Sequence, residues 1–140
     1  MYEFDGIIKI RNGTGESIFT ARPNLQYGKF YDAPDKNKEI LPRDIEGLEI
    51  KDNEHLLIHI CGRDQQFAGT TGTIDLDDID DQYVATLYWD VPFASSTNTF
   101  SVSGPGRHSM YIVTADGYNR IGTGLGTADV EVTKKPTTRG

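Results

Sequence analysis

Apolar residues recur along this chain with a period near two, in short runs broken by clusters of Gly, Pro, Asn and Asp. The pattern predicts strands over about 6–12, 17–22, 28–32, 55–61, 70–76, 83–90, 97–103, 109–115 and 127–133. In the run 55–61, Leu56, Ile58 and Ile60 alternate with Leu57, His59 and Cys61, so one set faces inward. The run Tyr83-Val84-Ala85-Thr86-Leu87-Tyr88-Trp89 is dense in β-formers. Strict alternation there puts Tyr83, Leu87 and Trp89 on one face and Tyr88 on the other, after which the Pro92 turn releases Phe93 to a loop. No segment holds a helical period over the ten or so residues an ordinary helix needs, and 43–49, which follows Pro42, reads as an irregular connection.

About nine strands, with turn signals at intervals of roughly 8 to 15 positions, predict an all-β fold. A two-sheet β-sandwich is the expected form and a barrel the alternative. The inward side chains of a sandwich form two walls about 10 Å apart. At 140 residues the chain is expected to be a single domain, 1–140, with 134–140 a frayed tail. A chain of this length buries roughly two thirds of the surface its unfolded form exposes, enough for one core. Its 15 glycines fit a fold rich in tight turns.

Charge narrows the partners. With 21 acidic against 14 basic side chains the formal charge is -7, which repels phosphate backbones, so nucleic acid is excluded as a partner. A membrane would have to be recognised through neutral or zwitterionic headgroups and apolar contact, because polybasic attraction is missing. Cys61 is the single cysteine, so no intrachain disulfide can form. The N-terminal run MYEFDGIIKIRN has neither the basic nor the apolar region of a signal peptide, and nowhere do about 18 apolar residues follow one another. The expectation is a soluble chain without a classical signal peptide. Asn12-Gly13-Thr14 matches a glycosylation sequon, a pattern frequent by chance.

The chemical candidates are weak. Asp75, Asp77, Asp78, Asp80 and Asp81 invite a calcium reading, but the D-x-D-x-D-G spacing with a Glu at the twelfth position is absent, and a solvated hairpin connection accounts for the run. His55, His59 and Cys61 could begin a zinc site, yet paired ligand spacing is missing and His108 is distant. No G-x-S-x-G elbow occurs, and Ser101-Val102-Ser103-Gly104 is ordinary strand-to-turn chemistry. Gly122-Thr123-Gly124-Leu125-Gly126 precedes a strand, whereas a phosphate-cradling loop opens a helix. No catalytic residue, metal ligand or cofactor is therefore assigned, and an enzyme is not expected. What remains is aromatic: Tyr83, Tyr88, Trp89, Phe93 and Phe100 crowd one segment, with Tyr27, Phe30 and Tyr31 in a second. Such rings are either core or an interface between water and an apolar layer.

Cys61-Gly62-Arg63, Gly69-Thr70-Thr71-Gly72-Thr73, Asp75-Leu76, Tyr88-Trp89-Asp90, Pro92, Thr97-Asn98-Thr99 and Val102-Ser103-Gly104 occur in the order and spacing of the aegerolysins. Gly28-Lys29, Asp35-Lys36, Glu46-Gly47 and Gly124-Leu125-Gly126-Thr127 do likewise, so the chain resembles that family from about residue 7 to 135. The resemblance implies an actinoporin-like sandwich that binds a membrane sphingolipid, such as ceramide phosphoethanolamine, or sphingomyelin with cholesterol. It also implies a docking role in a two-component cytolytic pore, with a membrane-attack-complex/perforin-type protein as partner. Localisation is then secreted or peripheral at a target membrane, with a cytoplasmic pool allowed. The alternative is a divergent member that has lost sphingolipid binding and acts as a soluble defence or lectin-like protein.

Carried over residue by residue, the resemblance implies lipid contacts at Tyr27, Tyr88, Trp89, Phe93 and Ser96. Tyr88 matches a tyrosine near the headgroup, and Trp89 and Asp90 match the motif around it. Tyr27 and Phe93 stand where lipid-binding relatives carry tryptophan, and Ser96 where they carry lysine. Ala68, beside an extra Phe67, replaces a glutamate linked to lipid discrimination, and Val91 replaces a cysteine. A cation on a lipid phosphate contributes roughly 1.5 to 3 kcal/mol, about 10- to 100-fold in affinity. Ser96 and Ala68 therefore predict weakened or altered lipid selectivity.

Overall fold

The computed structural model describes residues 4–63, 67–95 and 97–136. Eleven strands form among them: β1 (Gly6–Gly13), β2 (Ile18–Tyr27), β3 (Lys29–Asp32), β4 (Asp35–Ile40), β5 (Glu49–Ile50), β6 (His55–Cys61), β7 (Thr70–Asp78), β8 (Tyr83–Val91), β9 (Thr99–Ser103), β10 (Tyr111–Tyr118) and β11 (Gly126–Lys134). One sheet runs β10-β11-β1-β6-β3-β4 and the other β5-β2-β7-β8-β9, and the two pack as a sandwich. Every pairing is antiparallel except β1 with β11, which run parallel from Gly6 opposite Gly126 to Gly13 opposite Thr133.

The core lies where the alternation predicts it. Ile8, Ile10, Ile58, Ile60, Val130 and Val132 face inward from the first sheet, and Ile74, Leu76, Leu87, Trp89 and Phe100 meet them from the second. Burying each such side chain contributes up to about 1.5–3 kcal/mol. Asn12 is sealed in as well: its Nδ2 donates to the carbonyls of Glu16 and Ile50 at 2.6 and 2.8 Å, and its Oδ1 accepts from Thr14. It is wholly buried, so the sequon is closed to modification in the folded protein.

Several expectations change. The count is eleven strands, not nine. β4 reads DKNKEI, an edge strand without apolar alternation, and β5 is only two residues long. The segment after Leu41 contains one helical turn, α1 (Pro42–Ile45), whose first position proline suits, in place of a wholly irregular connection. Tyr83 does not share the face of Leu87 and Trp89. A bulge lets Leu76 oppose Ala85 while Asp77 opposes Tyr83, so Val84 and Ala85 are both buried and Tyr83 turns out to solvent. Two residues of the expected tail are tied in, since Lys134 closes β11 opposite Tyr111 and the Lys135 N–H donates to the Met110 carbonyl at 2.7 Å, while 137–140 lie outside the described residues.

The acidic run is spent on local structure. Asp75 and Asp77 accept from the Arg22 guanidinium, and Asp78 Oδ1 caps the β7–β8 turn through the N–H groups of Asp80 and Gln82. Tyr111 donates to the other Asp78 oxygen at 3.0 Å. The glycine-rich segment is organised from inside, with Asn98 Nδ2 donating to the carbonyls of Asn119, Gly122 and Gly124.

Candidate functional site

At one end of the second sheet the chain places aromatic rings from four distant segments side by side. Alternation along β8 sends Trp89 inward and Tyr88 and Asp90 outward. Opposite Trp89 on β7 stands Gly72, where a Cβ would lie 2.6 Å from the indole, so only glycine lets the ring lie across that strand. The indole packs edge-on against Phe30 at 5.9 Å between centroids. Its Nε1–H donates to Thr70 Oγ1 at 3.0 Å, and the Thr70 hydroxyl donates to the Tyr27 carbonyl at 3.2 Å. Trp89, with no exposed surface, thus ties three strand ends together beneath the site and cannot touch a ligand.

Above that anchor, Gly69 presses against β8 so closely that a Cβ would sit 1.6 Å from the Val91 carbonyl oxygen. This contact brings the 67–69 segment beside the Pro92 turn. Phe67, 86% exposed, meets Phe93, 45% exposed, edge to face at 5.5 Å between centroids. Phe93 also meets Phe4 at 5.6 Å. Together with Tyr27, itself half exposed, the Phe67 and Phe93 rings line a groove of about 300 Å³ whose one acidic or basic residue among the described walls is Asp90. The Thr71 hydroxyl donates to Asp90 at 2.9 Å.

Of the residues expected to contact lipid, Tyr27 and Phe93 share this groove. Tyr88 is half-buried on the outer face, next to Asp90 in the outward-facing set and opposite Thr73 and Ser101; burial, then the Asp90 charge, raises its pKa. Trp89 lies in the core below. Ser96 lies outside the described residues. Phe4 was missed because an isolated N-terminal aromatic carries no periodic signal, and only the closed sandwich brings it to Phe93.

Other candidates resolve differently. His59 lies tilted against Tyr31 at 5.4 Å between centroids and burial lowers its pKa, while burial raises that of the Cys61 thiol. A cavity of about 580 Å³ near α1 includes Tyr31, His59 and Leu57, but its rings Phe30 and Tyr31 are buried, so it offers no exposed aromatic face. Among the described residues no group of three or more His, Cys, Asp or Glu side chains is placed to hold a metal, and no helix is long and apolar enough to cross a membrane.

The aegerolysin family model matches residues 6–135. Ostreolysin A6 of Pleurotus ostreatus is 37% identical over 131 residues, covering 92% of this chain and 94% of that protein. Asp-hemolysin of Aspergillus fumigatus is 32% identical over 126 residues, covering 90% and 88%. The crystal structure of the RahU protein in complex with a TRIS molecule superposes with a TM-score of 0.88 at 25% identity over 96% of this chain and 98% of that one. The lipid binding protein Nakanori shares the fold at a TM-score of 0.56 and 15% identity, over 94% of this chain and 71% of its own.

Proposed function

The chain belongs to the aegerolysin family, and on that premise we propose that it is a non-enzymatic lipid-binding protein that docks on sphingolipid-containing membranes through the Tyr27, Phe67 and Phe93 groove. The observation that carries this reading is the exposed edge-to-face pair of Phe67 and Phe93. Large rings held in water at one end of a rigid sandwich gain free energy by entering an apolar layer, at about 25 cal/mol per Å² of apolar surface buried. Tyr27 carries a polar edge suited to the headgroup level. The names of two relatives, Asp-hemolysin and ostreolysin A6, fit action at membranes. The pore itself then belongs to a second protein of the membrane-attack-complex/perforin class, and the chain works in a secreted or peripheral setting.

Liposome flotation across a headgroup panel, with and without cholesterol, tests the reading. Binding to sphingomyelin–cholesterol or ceramide phosphoethanolamine vesicles, lost in Phe93→Ala, is the expected result. Binding to none of them would overturn it in favour of a soluble defence or lectin-like protein. Haemolysis by the chain alone would overturn the separate docking role.

A further inference from the structure

Beside the aromatic groove lies a second depression of about 370 Å³, and the two share Tyr27 and Ala68 in their walls. Arg63, just after β6, and Glu39, on β4, line it together. The two terminal nitrogens of the Arg63 guanidinium donate to the two Glu39 carboxylate oxygens, each at 2.8 Å. Both side chains remain partly open to solvent. The hydrogen bond from Arg63 holds the Glu39 carboxyl below its usual pKa, so both members stay charged at neutral pH. The pair is therefore a fixed dipole in the wall of a depression that opens onto the exposed rings.

We propose that the Arg63–Glu39 pair is the headgroup subsite of this protein and selects a zwitterionic phosphoester lipid, Arg63 taking the phosphate and Glu39 the ammonium. The inference rests on the lipid-binding reading above and adds to it the polar half of the site. The aromatic groove itself offers Asp90 but no lysine or arginine among its described walls, so the cation for a phosphate comes from the adjoining depression. Two of the five guanidinium N–H donors engage Glu39, which leaves donor capacity for phosphate oxygens. A zwitterion laid against the pair with opposite polarity matches every charge and orphans none. A headgroup with an additional negative charge instead brings an unmatched anion beside Glu39 on a chain of net charge -7, so anionic lipids are disfavoured. Tyr27, in the wall of both depressions, stands between the headgroup and the rings that enter the membrane.

The test compares wild type, Arg63→Gln, and the charge-exchanged double variant Arg63→Glu with Glu39→Arg. The probes are vesicles of sphingomyelin with cholesterol, vesicles with ceramide phosphoethanolamine in place of sphingomyelin, and phosphatidylserine vesicles. Wild type should prefer the zwitterionic vesicles, and both variants should lose at least about tenfold of that affinity. Their melting temperatures should move by no more than about 3 °C, because an exposed pair contributes little to folding. Variants that bind within threefold of wild type while Phe93→Ala does not would overturn the subsite and leave the lipid-binding reading intact. If wild type binds no vesicle, that reading fails, and an NMR titration with soluble phosphoethanolamine at millimolar concentration still decides the subsite. A shift of the Arg63 Nε resonance larger than inorganic phosphate produces supports it, and no such shift overturns it.

Discussion

Phe67 and Phe93 stand edge to face at an interplanar angle of 76° with their centroids 5.5 Å apart, both open to water. Two rings held against each other in solvent have lost rotamer freedom before any ligand arrives, so less ordering entropy opposes their entry into an apolar layer. The Gly69 contact with β8 fixes one ring and the Pro92 turn the other.

Truncating these rings should separate binding from folding. Phe93→Ala, which removes contacts to both Phe4 and Phe67, should weaken vesicle binding by about 2 kcal/mol, and Phe67→Ala by about 1 kcal/mol. Phe67→Ala should leave folding stability within about 0.5 kcal/mol of wild type. Vesicle sedimentation and urea denaturation measure the two quantities.

Trp89 should behave as a silent reporter. It is the single tryptophan and is wholly buried. Its emission should resist acrylamide and change little when vesicles bind, even with brominated lipid present. Quenching of the bound protein by brominated lipid would place the indole at the membrane and contradict its core position.

Thr70→Val leaves the Trp89 N–H unpartnered inside the sandwich and frees the Tyr27 carbonyl. The expected cost is about 1–3 kcal/mol in urea denaturation, since a buried donor loses its acceptor. Vesicle affinity should also fall, because Tyr27 loses the tether that holds its backbone beside the groove.

Gly69→Ala should be among the most damaging single-methyl changes. Its Cβ would meet backbone, the Val91 carbonyl oxygen at 1.6 Å, which no rotamer change relieves. A loss of about 3 kcal/mol or more is expected by urea denaturation. Gly106→Ala, which meets nothing within 4 Å, serves as the near-neutral control.

Alkaline stability should depend on Tyr111. Burial first, then its hydrogen bond to Asp78, raises its pKa from 10.0 to about 12. The folded state therefore holds a proton that the unfolded state releases. This contribution to stability is complete below pH 10 and is lost as pH rises towards about 12. Asp78→Asn should narrow that window, since burial and the more distant charges of Glu16 and Asp80 are then left to raise the pKa; spectrophotometric titration and melting curves across the range measure it. His59 works at the other end: its pKa is lowered by burial, so stability should fall as pH drops below 6.5.

Period-two alternation was enough to locate β1, β6, β7, β8 and β11, because strands with one buried face repeat their apolar residues every second position. β4 escaped that logic: as an edge strand it pairs on one side and buries little, so its sequence need not alternate. Within the site, Tyr27 and Phe93 were legible from the family pattern, and their place in one groove was not.

The sequence by itself determined the all-β class and most of the inward positions of the central strands, which follow from local periodicity, and the family, which follows from motif order and brings the sandwich with it. Tertiary structure alone decided which aromatics face water. One bulge at Val84 reverses Tyr83, and a glycine opposite Trp89 admits the indole to the core. Closure of the two sheets brings Phe4, Tyr27, Phe67 and Phe93 to one end, and the β6-β3-β4 pairing within the first sheet brings Arg63 to Glu39. The physical reason is that side-chain direction depends on register and adjacency on how the sheets close, and neither is carried by any single stretch of chain.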